Sequence, residues 1–337
     1  MDRRTFLMGA MALPASHMAG GGHAVSDPII DAATIDNINT ATDGLRIRDA
    51  RHGGTHYRDA VSGASWVIAR PKHSLCPQGL QPALDAAIAW RCSVVGFMAF
   101  DLGRHNDAGH YLRTADKHAR RAGNWSLLAR VLGQHARMFI YQGRPSPALA
   151  MLDEAITGGR THLSMTEMAM LHALQARGLA TAQRKDEADA AAKTANGFMF
   201  GGAEPSDAIM RPWISHYNEA HHWGDIASAY SELTRQGHRF AASASGAYGN
   251  AVGCAEYRGR ATVLHQLGLA RIEVEAGQLD HGIEAAYSAL TVAPSVQSCR
   301  VEDNLLTLAE SLSKHPTHPE AVDLRVAIRD TLATAQH

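Results

Sequence analysis

The stretch YQGRPSPALAMLDEA (141–155) decides the fold once it is set beside three others. These are DLGRHNDAGHYLRTA (101–115), TAQRKDEADAAAKTA (181–195) and EAGQLDHGIEAAYSA (275–289). Aligned on Gly103, Gly143, Gln183 and Gly277, they carry Ala108, Ala148, Ala188 and Gly282 five residues on, and Ala115, Ala155, Ala195 and Ala289 twelve residues on. The first three anchors are 40 residues apart. A fifth anchor, Gly237, stands 40 residues before Gly277, with Ala242 and Gly249 at the corresponding positions. Five units therefore share one register, with 14 extra residues between the third and fourth.

The unit has a simple physical reading. A helix ends, a glycine takes the left-handed conformation beyond it, and a second helix starts within a few residues. Small residues five and twelve positions later let that second helix lie close against the first. The helices before the turns carry apolar residues at helical spacing: Trp90, Val94 and Phe97; Leu128, Val131, Leu132, Met138 and Phe139; Val263, Leu264, Leu267, Ile272 and Val274. One such pair cannot bury its own apolar face, so pairs must stack. The expected fold is all-α, a solenoid of about seven helical hairpins. Residues 34–49 and 55–70 read as the first hairpin, and 296–314 with 319–335 as the last. Pro71, Pro77 and Pro82 mark a connection, and the Gly- and Pro-rich segment 196–212 reads as an inserted loop. Residues 1–30 form a flexible linker or signal-like segment, and 31–337 the repeat domain.

Composition supports this and narrows function. The 337 residues are 45% hydrophobic, 19% charged and only 6% aromatic, a balance that suits closely packed alanine-rich helices. A net charge of −1 argues against a chain built to coat nucleic acid, though not against a local basic patch. Cys76, Cys92, Cys254 and Cys299 form no metal or redox spacing, and Cys92 and Cys254, among small apolar residues, read as buried thiols. No uninterrupted apolar run approaches the roughly 20 residues of a membrane span.

Histidines are numerous, and HYNEAHHW (216–223) gathers His216, Glu219, His221 and His222. The spacing matches neither zinc-protease signature, so a structural or ligand-facing polar patch is the first reading and a metal-dependent enzyme a weaker one. His105, His110, His118, His135 and His172 are scattered and read as solvent-facing or helix-contact residues. There is no nucleophile elbow, phosphate-binding loop or dinucleotide fingerprint. No catalytic residue, cofactor or resident metal is assigned, and the chain is read as a non-enzyme. Helical arrays bind along the concave groove lined by the first helix of each pair. Polar residues interrupting those helices are the candidate contacts: Arg91, Arg130, Gln134, Arg137, Gln175, Asn218, Glu219, His222 and His265. Arginine and amide side chains there suit a peptide backbone or a carboxylate. Phe198-Met199-Phe200 reads as a loop anchor or a lid. Arg46, Arg48, Arg51 and Arg58, interleaved with Asp43, Asp49 and Asp59, read as a solvated face.

Glycine with alanine five residues on, and alanine twelve residues past the turn, resembles the tetratricopeptide repeat; the period of 40 against that repeat's 34 implies longer helices. The segments 43–61 (DGLRIRDARHGGTHYRDAV), 99–124 and 301–332 resemble the repeat region of actinobacterial Xre-type regulators. That resemblance implies a regulatory, scaffolding role linked to transcription. A protein, peptide or small signal would be the ligand and a homodimer one possible state, with no direct contact to nucleic acid or membrane. A helix-turn-helix domain normally precedes such repeats. The opening MDRRTFLMGAMALPA (1–15), with Arg3-Arg4, then reads as a remnant of the linker to it, in a cytoplasmic protein. The alternative is a twin-arginine export signal on an exported binding protein.

Overall fold

A computed structural model of the chain describes residues 29–69, 75–202, 211–255 and 259–335; the opening stretch with Arg3-Arg4 lies outside the described residues. Fourteen α-helices account for most of them. They are α1 (Ala32–His52), α2 (Tyr57–Ala69), α3 (Gln81–Asp101), α4 (His105–Arg121), α5 (Trp125–Tyr141), α6 (Pro145–Gly159), α7 (Met165–Thr181), α8 (Lys185–Phe200), α9 (Glu219–Arg235), α10 (Ala241–Gly253), α11 (Arg260–Glu275), α12 (Leu279–Leu290), α13 (Cys299–Leu312) and α14 (Pro319–Ala335). No strand occurs among the described residues, only two isolated bridges. Consecutive helices form seven helix–turn–helix units, a tetratricopeptide-like α-solenoid; in six of them the two helices pack on each other, while in the first α1 and α2 both lie against α3.

The turn chemistry explains the repeat. After α3 the Gly103 N–H donates to the Phe100 carbonyl at 3.0 Å and the Arg104 N–H to the Ala99 carbonyl at 2.8 Å. These two bonds satisfy carbonyls that the helix end would leave orphaned, and they require a left-handed residue between them. The same pair recurs after α5, α7, α9 and α11, with φ of 67° at Gly143, 87° at Gly237 and 80° at Gly277. Gln183 takes this conformation after α7, at φ 60°, without being glycine. Ala108, Ala148, Ala115, Ala155, Ala195 and Ala289 are fully buried, and Ala188 nearly so, so the helices of each pair meet through methyl groups.

Three expectations need correction. In the fourth unit α10 starts four residues after Gly237 rather than two, because Phe240 stacks on Tyr230 with ring centres 5.1 Å apart. The buried small residues are therefore Ala244 and Ala251, while Ala242 is exposed. The segment 196–212 is not all loop: α8 runs on to Phe200, its end fixed by Phe198 stacked on His172 and Phe200 on Trp223. Cys254 is exposed at the end of α10, whereas Cys92 is buried. In addition, α3 with its preceding turn is long and apolar enough to cross a membrane, but most of it is covered by neighbouring helices, which makes it a core helix.

The solenoid curves until its ends meet. The Gly54 N–H donates to the Gln297 carbonyl at 3.0 Å and the Gln297 N–H to the His52 carbonyl at 3.0 Å. Gly53 allows this approach: it has φ 67°, and a Cβ there would lie 2.0 Å from the Gln297 oxygen. Beside this junction Asp101, wholly buried, accepts from Arg260 at 2.8 Å, from Arg300 at 2.6 Å and from the Ser298 hydroxyl at 2.9 Å. Arg260 also pairs with Asp49 at 3.0 Å. Both guanidiniums lie over the Phe97 ring, each 5.3 Å from its centre. The Tyr141 hydroxyl adds a bond to Asp303. The last hairpins thus close onto the first three, and the array becomes a ring.

Two measurements follow. Asp101→Ala strands the buried Arg300 and leaves Arg260 with Asp49 alone, and is expected to lower unfolding free energy by about 3–5 kcal/mol, read from denaturant melts. Gln183→Gly removes left-handed strain of about 1–2 kcal/mol, partly offset by a more flexible unfolded chain, so a net gain of up to about 1 kcal/mol is expected in the same assay.

Candidate functional site

Ring closure turns the concave groove into a cavity of about 120 Å³. Its wall comes from the first helix of nearly every hairpin. From α1 it takes Arg46 and Asp49; from α3, Trp90, Val94 and Phe97; from α5, Arg130, Gln134 and Arg137. His221 and Asp225 of α9, Arg260, Leu264 and His265 of α11, Arg300 of α13 and His216 before α9 complete it. The spacings 130, 134 and 137 or 221 and 225 are those of one helical face. One close approach shapes the wall: a Cβ on Gly224 would lie 2.0 Å from His265 Nε2, so the imidazole rests on bare α9 backbone.

The charges fall into two classes. Asp225 is gripped by two arginines, accepting from Arg137 at 2.7 Å through both oxygens and from Arg177 at 2.8 Å. Burial would raise its carboxyl, but the two guanidiniums outweigh that and hold it well below the usual carboxylate range. Asp101 behaves in the same way under Arg260 and Arg300. These three-membered clusters are structural. Arg130 stands in contrast. Its only polar contact among the described residues is a weak one to the Met170 sulfur at 4.0 Å, and its Nε is buried without a partner. Burial, then the neighbouring charges of Arg137 and Arg46, push this guanidinium down to about 9.

The imidazoles are neutral. Burial lowers His221 to about 3 and His265 to about 4, against the opposing pull of the Asp225 carboxylate on both, and takes His216 well below its ordinary value. The Nδ1 atoms of His216 and His265 are buried without partners.

Of the residues expected to line a groove, Arg130, Gln134, Arg137 and His265 come together in the cavity. Gln134 also takes part in the packing, as acceptor for the Ser93 hydroxyl at 2.5 Å. The remaining five lie elsewhere. Arg91 lies in an outer cleft with Gly63, Trp66 and Val67, because its position on α3 faces α2. Gln175 lies in an outer furrow with Leu149 and Leu179, 3.0 Å from His172 Nδ1. Asn218 caps α9, accepting the His221 N–H at 3.2 Å. Glu219 is exposed, 3.7 Å from the Cys254 sulfur. His222 is fully buried, 2.8 Å from Asn196 Oδ1 and 3.2 Å from the Tyr217 hydroxyl. The helix begins at Glu219, so His216 is not on it; His216 and His221 still meet in the cavity wall, ring centres 5.6 Å apart, while Glu219 and His222 turn elsewhere. The single set of metal-capable side chains among the described residues is elsewhere, at Asp280, His318 and Glu320.

Arg46 and Asp49 need correcting too: α1 turns them inward, where Asp49 is buried and Arg46 faces the cavity. Asp101, Asp225, Arg260 and Arg300 were missed altogether. A partial signal existed. Six residues before the turn anchors stand Arg137, Arg177 and Arg271, a repeat that points to the two partners of Asp225 but not to Asp101, Asp225, Arg260 or Arg300 themselves.

No protein-family profile and no curated protein matches the chain. A solved structure of similar course is that of a Rap protein complexed with competence and sporulation factor. The likeness covers 89% of this chain and 99% of that one, at 11% identity and a TM-score of 0.47.

The neutral imidazoles set a pH dependence. In the unfolded chain they take protons near pH 6.5; in the folded protein His265 does so near 4 and His221 near 3. Between these values the unfolded state binds more protons, so stability falls as pH falls. Melting temperature is expected to be flat above pH 7 and to decline from about pH 6.5 to 4, with a shallower decline in His265→Gln. A flat profile to pH 4.5 contradicts neutral burial.

Proposed function

We propose that this protein is a non-enzymatic binding protein whose ring closes around a small ligand or the end of a partner peptide. One observation carries the reading. Among the charged and polar groups that line the cavity at the ring's centre, five carry a buried atom without a partner: the Nε of Arg46 and of Arg130, the Nδ1 of His216 and of His265, and Asp49 Oδ1. Buried polar atoms without partners are costly, and such atoms gathered around one space favour an occupant that pairs with them.

Size narrows the occupant. One water needs roughly 10–15 Å³ of such space, so about 120 Å³ admits a group of several heavy atoms and not an extended chain. Since the wall is built from both ends of the solenoid, an occupant touches α1, α5, α9 and α11 together. Its binding free energy therefore bears on ring closure, which is a means of regulation. The resemblance of segments 43–61, 99–124 and 301–332 to Xre-type regulators supports placing that regulation in transcriptional control, exerted through a partner in the cytoplasm. The protein or peptide partner that reads ring closure would dock on the outer faces of the hairpins.

Ala261 lines the cavity, and Ala261→Phe fills it. Small molecules and peptides from the source cells, passed over immobilised protein and released by denaturation, are compared by mass spectrometry. Wild type is expected to retain a species that Ala261→Phe does not, with melting temperatures within a few degrees of each other. Equal retention by both, or retention by neither, sinks the proposal.

A further inference from the structure

Resting on the reading of the central cavity as a binding site, we infer that its ligand presents an anionic group, a carboxylate or a phosphate, held by Arg130 and Arg46 beside His216. Six arginines stand in or directly behind the cavity wall: Arg46, Arg130, Arg137, Arg177, Arg260 and Arg300. They face three carboxylates, Asp49, Asp101 and Asp225. Each of these carboxylates is already committed. Asp225 serves Arg137 and Arg177, Asp101 serves Arg260 and Arg300, and Asp49 serves Arg260 through one oxygen, its Oδ1 being buried without a partner and reaching neither Arg46 nor Arg130. Arg46 and Arg130 are left over. Neither makes an ion pair among the described residues, and the Nε of each is buried without a partner. His216, whose charge environment includes both of them, has an unpartnered buried Nδ1.

A buried cation without a counterion is unfavourable. The chain does not relieve the strain locally: the nearest sulfur, of Met170, is a poor acceptor. The depressed pKa of Arg130 has the same origin in geometry, since burial and the like charges of Arg137 and Arg46 act on it while Asp225 is occupied elsewhere. An anion entering the cavity supplies what is missing. A carboxylate or phosphate accepts two parallel bonds from a guanidinium fork, and a neutral imidazole adds one N–H donor. A cationic or purely apolar ligand would leave the cluster as unsatisfied as before. The geometry thus selects by charge, and shape sets the rest.

The probes are inorganic phosphate, succinate, and a tripeptide with a free carboxyl terminus compared with its amide. Melting temperature and calorimetric affinity are read for wild type, Arg130→Met, Arg130→Lys and Arg46→Met. A ligand binding only the folded state raises the melting temperature by mass action. Wild type is expected to respond to at least one anion and not to the amide; which anion acts separates carboxylate from phosphate. Arg130→Met removes an uncompensated buried charge, so its own melting temperature is expected to rise while the anion response disappears. A merely structural arginine would show the opposite sign. Arg130→Lys keeps the charge without the fork, and Arg46→Met keeps one arginine. Each is expected to weaken binding about tenfold or more, the loss of a charge-assisted bond, and they decide the matter if Arg130→Met fails to fold. No response to any anion, or an undiminished response in these variants, overturns the inference. If retention of a ligand blocked by Ala261→Phe survives that result, the binding reading stands and only the anionic class falls.

Discussion

Everything in this ring depends on Asp101. A carboxylate with no solvent exposure, at the end of a core helix, is tolerable only because two guanidiniums and a hydroxyl reach it. Those partners come from α11 and α13, some 160 to 200 residues further along. Without them the end of α3 would have to face water. With them the last hairpins are tied to the first. Stacked hairpins interact only with their neighbours, so nothing in an ordinary solenoid fixes the distance between its ends. Here one charge cluster and one short backbone bridge do so.

Closure changes the meaning of the concave face. In an open array, arginines on inner helices are solvated and cost little. In a closed one the same side chains face each other across a small space of lowered polarity, where like charges repel and carboxylates become scarce. Asp225 and Asp101 absorb four of the arginines, and the imidazoles adapt by staying neutral. Arg130 has no such adjustment, since a guanidinium does not readily give up its proton. The residual positive charge is a consequence of ring geometry acting on repeated arginines, and it is confined to one place.

The repeat was legible because each unit carries its own reason in a few neighbouring residues. A glycine must sit where two bonds need a left-handed residue, and alanine must sit where helices touch. Even so, the fourth unit misled: Phe240 delays α10 by two residues, and nothing local distinguishes Ala242 from Ala244. Four of the nine proposed groove residues share the cavity, because the helical face of α5 and the position of His265 follow from spacing alone. Arg91 and Gln175 show the limit. Their helices are inner ones, but which residues of an inner helix face the axis depends on how far each hairpin is rotated against the next. Asn218 went astray for a different reason, since the start of α9 sets whether a polar residue is a cap or a wall.

The sequence by itself determined the helices, their pairing and their stacking, since those rest on contacts within about 40 residues and on local turn chemistry. Only the tertiary structure decided that the array closes, that Arg46 and Asp49 turn inward, and that Arg130 is left without a counterion. The physical reason is range. Charge pairs such as Arg260 with Asp49 join residues 211 apart, and whether a charge is paired or stranded is settled only by where the far end of the chain comes to rest.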